Sequence, residues 1–313
     1  MIKTRLLQGI IPVVVTPLDA DGSIDIQGHE KLIDFLLEKK VGGLWTLGTN
    51  SEDMNLTFAK RLQAADIMTR RNKGRIPLIL GASFYCLEDT LCFMDETAGM
   101  DFDAYHVMPY HPLLSLDRLA WYYRKIADHA SRPVWMYTSA NWSQSVTPAF
   151  VKELSGHPNI AGIKFSNRNT TDLLQVINLA REGFQVITAV AKQLYVTLIM
   201  GACGSTSSLA SCLPEPMQEI YRLFQAGDLQ GALSAQYKLN AFLDALPKSL
   251  HKDNFLPAAE EKYILYLRGI CNGYTTTYYR DADEHEKAII RKALCEHNML
   301  PDIDIVPAMN FSK

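Results

Sequence analysis

The sequence predicts an α/β protein, a (β/α)8 TIM barrel followed by a C-terminal helical extension. Short apolar runs alternate with amphipathic stretches through the first two thirds of the chain, and only helical patterns follow them. The apolar runs are almost continuously hydrophobic, which is typical of parallel strands covered by helices on both faces. No GxGxxG follows the first strand and no GxxxxGK followed by Ser or Thr occurs, so the closed barrel is favoured over an open doubly wound sheet.

Eight strands are predicted from short runs rich in β-branched and aromatic residues. They cover residues 10–16, 43–47, 76–80, 104–108, 134–137, 160–164, 184–188 and 202–206. The amphipathic stretches after the first seven strands predict helices at residues 28–40, 57–72, 87–100, 115–130, 147–155, 170–181 and 192–200. Four further helices are predicted at residues 215–225, 228–243, 254–271 and 283–296.

Helix-start residues support these assignments and the division of the chain. Thr147 followed by Pro148 predicts an N-cap and a proline at the first helical position, and Ser115 predicts another N-cap. Residues 1–212 are predicted to form the barrel, with its last helix running to about residue 226. Residues 227–313 are predicted to form a C-terminal helical domain.

The composition indicates an ordinary globular protein with a small-molecule partner. Of its 313 residues, 48% are hydrophobic and 21% are charged, which is enough for a large core. The formal net charge of −3 gives no general attraction to nucleic acid or to an anionic membrane. No signal peptide or membrane-spanning run is recognised, so the cytoplasm is expected. The 6 cysteines form no CxxC pair and the 8 histidines no HxxxH or HxH, so no metal or other cofactor is predicted.

Lys164 is the most informative single residue. It ends the apolar run 160–163, and in a barrel the chemistry lies at the carboxyl ends of the strands. A buried amine is costly to keep charged, so it either pairs with an anion or becomes neutral, and a neutral amine is a nucleophile for carbonyl groups. Tyr137 and the turn 48–52 lie at two other predicted strand ends, so all three should face one mouth.

These groups together could perform Schiff-base chemistry. A ketone or 2-oxo acid could condense with Lys164 while Tyr137 relays protons and Thr49 orients that phenol. Thr49, Asn50 and nearby backbone N–H groups could bind the carboxylate. Residue types and positions also fit structural roles: a salt-bridged Lys164, a core aromatic Tyr137, and a turn that only caps the next helix.

Several motifs then occur in the order and spacing of a known family. They are residues 9–17 with 21–25, the turn 48–52, Pro109 with Tyr110, Tyr137, and the run 160–164. Together they resemble the dihydrodipicolinate synthase/N-acetylneuraminate lyase family of class I pyruvate-dependent aldolases, of which this chain looks like a divergent member.

The resemblance implies a (β/α)8 barrel with a C-terminal helical domain, a homotetramer, and aldolase-type chemistry on pyruvate or a related 2-oxo acid. It implies that Lys164 is the Schiff-base lysine and Tyr137 the proton-transfer tyrosine. Thr49 and Asn50 would bind the substrate carboxylate, and the backbone of Thr206 would help to hold pyruvate. Tyr110 matches the first tyrosine of the family's P-Y-Y motif, beside the substrate site.

Three departures from the family pattern concern the proton relay and the second substrate. His111 replaces a tyrosine that reaches across a subunit interface in dihydrodipicolinate synthases, so it either relays protons or lies at the surface. Asn50 replaces a threonine and so lacks a hydroxyl that could shuttle a proton. Trp142 lies near the position of a carboxylate-binding arginine, and its indole favours an apolar, aromatic or sugar-like face or packs under a loop.

Three functions are therefore considered. The first is a class I aldolase or lyase that joins pyruvate or a related 2-oxo acid to an unassigned aldehyde, or cleaves such a product. The second is a divergent 4-hydroxy-tetrahydrodipicolinate synthase, against which Trp142 argues. The third is a non-catalytic 2-oxo-acid-binding or regulatory homologue, against which the presence of both Lys164 and Tyr137 argues.

Overall fold

The computed structural model describes residues 5–139 and 142–300, and its centre is a barrel of eight parallel strands. The strands are β1 (Gly9–Pro12), β2 (Leu44–Thr46), β3 (Leu78–Gly81), β4 (Ala104–Val107), β5 (Val134–Ser139), β6 (Ile160–Ser166), β7 (Gln185–Thr188) and β8 (Gly204–Ser207). Neighbouring strands pair in the order β1, β8, β7, β6, β5, β4, β3, β2.

The barrel closes between β1 and β2. Val13, just after β1, forms a parallel bridge with Trp45 of β2, and the Val14 N–H donates to the Trp45 carbonyl at 2.8 Å. Because β1 also pairs with β8, the eight described strands form a nearly closed barrel. The predicted (β/α)8 barrel is confirmed, and the open doubly wound alternative is wrong.

Thirteen α-helices are described. They are α1 (Ile26–Glu38), α2 (Phe58–Asn72), α3 (Leu87–Thr97), α4 (Leu116–His129), α5 (Pro148–Leu154), α6 (Thr170–Ile177), α7 (Leu194–Ile199), α8 (Leu209–Cys212), α9 (Pro214–Gln225), α10 (Leu229–Ala245), α11 (Lys248–Asn254), α12 (Ala258–Leu267) and α13 (Glu284–Glu296). Within the described ranges, no helix is long and apolar enough to cross a membrane.

The helix starts follow the capping residues in the sequence. The Thr147 side chain accepts a hydrogen bond from the Phe150 N–H with Pro148 in the first turn, and Ser115 accepts one from the Arg118 N–H. Each cap satisfies a backbone donor that the first helical turn leaves without a partner. Both predicted starts are confirmed.

The predicted helix at residues 254–271 is wrong in its extent, since α12 is shorter at both ends, and α11 before it was not predicted. α11 ends at Asn254 and α12 begins at Ala258. Phe255 between them has a φ of 63°, in the left-handed region, and Pro257 has no backbone N–H to continue a helix. The break turns the Phe255 side chain outward, where it is 53% exposed.

The core has two parts. One apolar cluster fills the barrel interior and includes Ile11, Ile79, Trp135 and Ile187. The larger cluster lies between the strands and the helices and continues into the C-terminal helices through residues such as Phe242. The C-terminal helices therefore rest on the barrel wall, from which they can reach the mouth.

Candidate active site

Lys164 enters the barrel interior from β6. Gly162, two residues earlier on the strand, leaves room for Trp135, because a Cβ at this glycine would lie 2.8 Å from ring atoms of that tryptophan. Lys164 is only 4% exposed. Its Nζ lies 4.2 Å from the centroid of the Tyr137 ring and 5.3 Å from that of Trp45. The amine thus contacts two aromatic rings near the carboxyl ends of the strands.

Burial lowers the pKa of the Lys164 amine from its ordinary value of 10.5 to about 7. The faces of the Tyr137 and Trp45 rings favour a cation, which by itself would raise the pKa. The loss of hydration on burial is the cause of the lowered pKa. Near neutral pH a large fraction of this amine is unprotonated, the form that attacks carbonyl carbons.

Tyr137 lies beside Lys164 because β5 and β6 pair in a register that sets these two residues opposite each other. Its hydroxyl is 3.5 Å from Thr49 Oγ1. Burial raises the pKa of the Tyr137 phenol to about 12, so it carries its proton at neutral pH. The structure thus brings together Lys164, Tyr137 and Thr49, as the sequence predicts.

The turn after β2 is held from two sides. Ser51 Oγ donates to the Val14 carbonyl at 2.6 Å and accepts from the Gly48 N–H at 3.1 Å. Thr16 Oγ1 donates to the Ser51 carbonyl at 2.7 Å. These bonds tie the turn to the segment after β1, so Thr49 at its start has a defined position.

Glu52 anchors the same turn to the C-terminal helices. Its backbone is left-handed, with a φ of 60°, and its carboxylate is completely buried. Lys262 Nζ donates to this carboxylate, and so do the backbone N–H and Oγ1 of Thr276 at 2.9 and 3.0 Å. Lys262 also donates to the Tyr274 carbonyl at 2.8 Å. The barrel mouth and the C-terminal region therefore share one buried ion pair.

Tyr110 and Asp53 continue the series of contacts that begins with the Tyr137 and Thr49 hydroxyls beside Lys164. The Tyr110 hydroxyl lies 3.4 Å from Thr49 Oγ1 and donates to Asp53 at 2.8 Å. Burial raises the pKa of Asp53 to about 6, although Arg61, 4.0 Å away, and the Tyr110 hydroxyl both favour its ionised form. Sequence reasoning missed Asp53. Its position directly after the turn 48–52 was the available signal.

Asn50 and Thr206 lie close to β8. The Asn50 side-chain amide donates to Ser208 Oγ at 2.7 Å, just past the end of β8. Thr206 is completely buried, and its Oγ1 donates to the Thr188 carbonyl at 3.3 Å. Both side chains thus have protein partners next to β8.

His111 and Trp142 lie in different surroundings. The His111 ring packs 4.5 Å from that of Tyr85 and 6.0 Å from that of Tyr122, and it makes no hydrogen bond among the described contacts to the Thr49 hydroxyl. Trp142 contacts Tyr110 edge to face, with centroids 6.3 Å apart. The structure thus places His111 in a peripheral aromatic cluster and Trp142 at the mouth.

Phe255 is a second site residue that sequence reasoning missed. Its ring centroid lies 5.8 Å from that of Trp142, in an edge-to-face contact. Phe255 comes from the break between α11 and α12, 113 positions beyond Trp142 in the chain. Trp142, Tyr110 and Phe255 therefore form an aromatic rim, to which the C-terminal helices contribute.

The chain is similar in sequence to known proteins. Residues 6–294 match the dihydrodipicolinate synthetase family. A 4-hydroxy-tetrahydrodipicolinate synthase of Methanoculleus marisnigri is 29% identical over 298 residues, which cover 93% of this chain and 100% of that protein. A probable 2-dehydro-3-deoxy-D-pentonate aldolase of Escherichia coli, YjhH, is 29% identical over 241 residues, covering 75% and 80%.

A solved structure is similar to this chain along nearly its whole length. YagE, a prophage protein of Escherichia coli K12 from the dihydrodipicolinic acid synthase family, was crystallised in complex with pyruvate. It superposes with a TM-score of 0.86 at 25% identity, covering 94% of this chain and 100% of that one.

Fold and relatives together define the class, which is a lyase of the aldolase or synthase type built on a (β/α)8 barrel. The chain belongs to the dihydrodipicolinate synthetase family, at low identity to the relatives described. The expected family resemblance is thereby confirmed.

Proposed function

We propose that this chain is a class I aldolase or lyase that forms a Schiff base between Lys164 and pyruvate or a related 2-oxo acid. The observation that carries the proposal is the buried Lys164 amine, whose pKa falls to about 7 beside the Tyr137 phenol. An amine that is partly unprotonated near pH 7 can attack a ketone in that form without first losing a proton to solvent. Its place at the strand ends of a barrel agrees with this role.

The reaction begins when Lys164 Nζ adds to the keto carbon. Two proton transfers and loss of water convert the carbinolamine to an imine. Tyr137, whose ring centroid lies 4.2 Å from the amine and whose phenol is protonated at neutral pH, relays these protons. The 2-oxo acid carboxylate would lie at the turn after β2, near the backbone of Thr49 and Asn50. The protonated imine then accepts electrons from the neighbouring carbon.

Carbon–carbon bond formation depends on the protonated imine, which accepts electrons from the neighbouring carbon. Loss of a proton from the methyl group next to the imine gives an enamine, whose carbon attacks the carbonyl of an aldehyde. Cleavage runs through the same steps in reverse. Hydrolysis of the imine releases the 2-oxo acid and restores the free Lys164 amine.

The aromatic rim supports an apolar, aromatic or sugar-like aldehyde as the second substrate. Trp142 and Phe255 present edges and faces of rings and carry no positive charge that could pair with a carboxylate. The name of the Escherichia coli relative, a probable 2-dehydro-3-deoxy-D-pentonate aldolase, is consistent with a sugar-like partner.

A divergent 4-hydroxy-tetrahydrodipicolinate synthase is the second candidate. It is favoured by the name of the Methanoculleus marisnigri relative, which aligns over its full length. That reaction would bring an aldehyde with a carboxylate past Trp142, where the chain has an indole instead of an arginine. Parallel assays with aspartate semialdehyde, sugar-derived aldehydes and aromatic aldehydes, each with pyruvate, separate the two candidates.

The Schiff base itself is tested by reductive trapping. The protein is incubated with pyruvate and sodium borohydride, digested, and the modified peptide is identified by mass spectrometry. We expect one reduced pyruvate adduct, on Lys164, and none on Lys192, an exposed lysine that serves as an internal control. Absence of an adduct on Lys164 with pyruvate and with other 2-oxo acids would overturn the proposal.

The homotetramer stays a prediction. The peripheral cluster around His111 includes Tyr85, which is 70% exposed, and the nearby Leu113 is 98% exposed. Exposed apolar side chains next to one another are typical of surfaces that bind a partner. Light scattering coupled to size-exclusion chromatography measures the number of chains in the particle.

A further inference from the structure

Four side chains of one chain form a line of oxygen atoms that runs from Lys164 to a buried carboxylate. Tyr137 Oη lies 3.5 Å from Thr49 Oγ1. Thr49 Oγ1 lies 3.4 Å from Tyr110 Oη. Tyr110 Oη lies 2.8 and 3.0 Å from the two oxygens of Asp53. The two longer contacts are typical of a free enzyme, whose catalytic hydrogen bonds shorten when substrate binds.

We propose that Asp53 ends a proton relay contained within one chain, in which Tyr110 and Thr49 connect it to Tyr137. The inference rests on the proposed Schiff-base function of Lys164. Asp53 is a positioning residue, because it acts on the substrate only through the three hydroxyls. It orders their hydrogen bonds and holds the proton that leaves the substrate.

The transfers balance without any further reactant. In the free protein the Thr49 hydroxyl donates to Tyr137 Oη, and for the transfer it rotates to donate to Tyr110. When the protonated imine loses a methyl proton, Tyr137 Oη receives it and passes its own hydroxyl proton to Thr49 Oγ1. Thr49 passes its proton to Tyr110, and Tyr110 passes its proton to Asp53. The electron pair of the broken C–H bond stays in the substrate as the enamine, and the charge of the imine is cancelled as Asp53 becomes neutral. The reverse sequence returns one proton.

The surroundings of Asp53 suit a group that takes up and releases a proton. The titratable groups that face it are Arg61 from α2, Tyr110, Tyr137, and Tyr279 before α13. Arg61 stays 4.0 Å away, since its guanidinium donates to the Ser83 carbonyl and stacks on the Phe84 ring. Burial outweighs this charge and raises the pKa of Asp53 to about 6, so both protonation states occur near neutrality.

His111 lies away from the Thr49 hydroxyl, so Tyr110 is the neighbouring residue that can continue the relay within the same chain. His111 packs against Tyr85 and Tyr122, away from the Thr49 hydroxyl. Tyr110, one residue earlier, is 3% exposed and turns its hydroxyl into the barrel mouth. The Tyr110 phenol thus joins Thr49 to the carboxylate of Asp53, which directly follows the turn 48–52 of the same chain.

The test measures proton transfer to and from bound pyruvate and needs no aldehyde. Exchange of the pyruvate methyl protons with D2O is followed by NMR, at saturating pyruvate so that imine formation does not limit the rate. The variants are Asp53→Asn, which keeps a hydrogen-bond acceptor but cannot store a proton, Asp53→Glu, and Tyr110→Phe. Glu260→Gln is the matched control, a buried carboxyl on α12 whose pKa is also raised, to about 7.

We expect Asp53→Asn and Tyr110→Phe each to slow exchange at pH 7 by roughly tenfold or more. The double variant should be no slower than either single one, because each breaks the same line. The wild-type rate should rise with pH through about 6, and this rise should be lost in Asp53→Asn and partly restored in Asp53→Glu. Glu260→Gln should behave as the wild type.

Borohydride trapping on Lys164, measured in parallel, separates the two proposals. A normal adduct with slow exchange in Asp53→Asn supports the relay and excludes general misfolding. A normal adduct with the wild-type rate and pH profile of exchange overturns the relay and leaves the proposed function intact. Absence of the adduct in the wild-type protein overturns both.

Discussion

Lys164 and Lys262 are both buried lysines near the barrel mouth, yet their partners differ completely. Lys262 is fully buried against the carboxylate of Glu52 and the carbonyl of Tyr274. Lys164 stands over the rings of Tyr137 and Trp45, and burial lowers its pKa to about 7. A buried amine that meets a carboxylate serves to join two parts of a fold. One that loses its hydration on burial without a carboxylate to balance its charge is partly neutral, and the neutral amine can act as a nucleophile.

The neighbouring carboxylates Glu52 and Asp53 repeat the contrast. Glu52 has three donors from the C-terminal region, including Lys262. Asp53 has the Tyr110 hydroxyl and a more distant Arg61, and burial raises its pKa to about 6. Two adjacent carboxylates therefore have different roles, since Glu52 fixes the turn 48–52 and Asp53, directly after it, can exchange a proton.

The largest expected effect on stability is that of Lys262→Met. It leaves Glu52 buried without its cation, and we expect the free energy of unfolding to fall by about 3–5 kcal/mol. Urea denaturation measures this, with Lys192→Met, which removes an exposed pair with Asp244, as the control at about 0–1 kcal/mol. The folded fraction should still form the pyruvate adduct on Lys164. A loss below about 1 kcal/mol would contradict a structural role for Lys262.

Lys164→Met should have the opposite and smaller effect on stability. Because the folded-state pKa lies below the unfolded value of 10.5, the buried charge costs most below pH 7 and its cost fades as the pH rises toward 10.5. We expect the variant to be about 1–3 kcal/mol more stable near pH 6, with the difference shrinking at alkaline pH. Urea denaturation at several pH values measures it. A less stable variant would mean that the amine holds the fold together.

The smallest effect is a change of rate with pH. Since the neutral amine attacks and the pKa of Lys164 is about 7, the initial rate of adduct formation should rise by about tenfold per pH unit below 7 and level off above it. Trapping with sodium cyanoborohydride between about pH 5.5 and 9 measures this. A rate that keeps rising up to pH 9 would show that Lys164 remains protonated like an exposed lysine, and the contrast with Lys262 would be lost.

Much of the fold could be predicted because it depends on local patterns. Alternating apolar and amphipathic runs predict strands and helices, and caps such as Thr147 set where helices begin. The start of α12 was predicted four residues early because apolar periodicity does not report the left-handed backbone of Phe255.

The sequence by itself determined the barrel, the place of Lys164 at a strand end, and the likeness of the turn and tyrosine motifs to one family. Only the tertiary structure decided which groups meet: Tyr110 with Asp53, 57 residues apart, and Glu52 with Lys262, 210 residues apart. The physical reason is that residue periodicity reports the faces of single elements. Barrel closure and strand register, which depend on the whole chain, bring their side chains together.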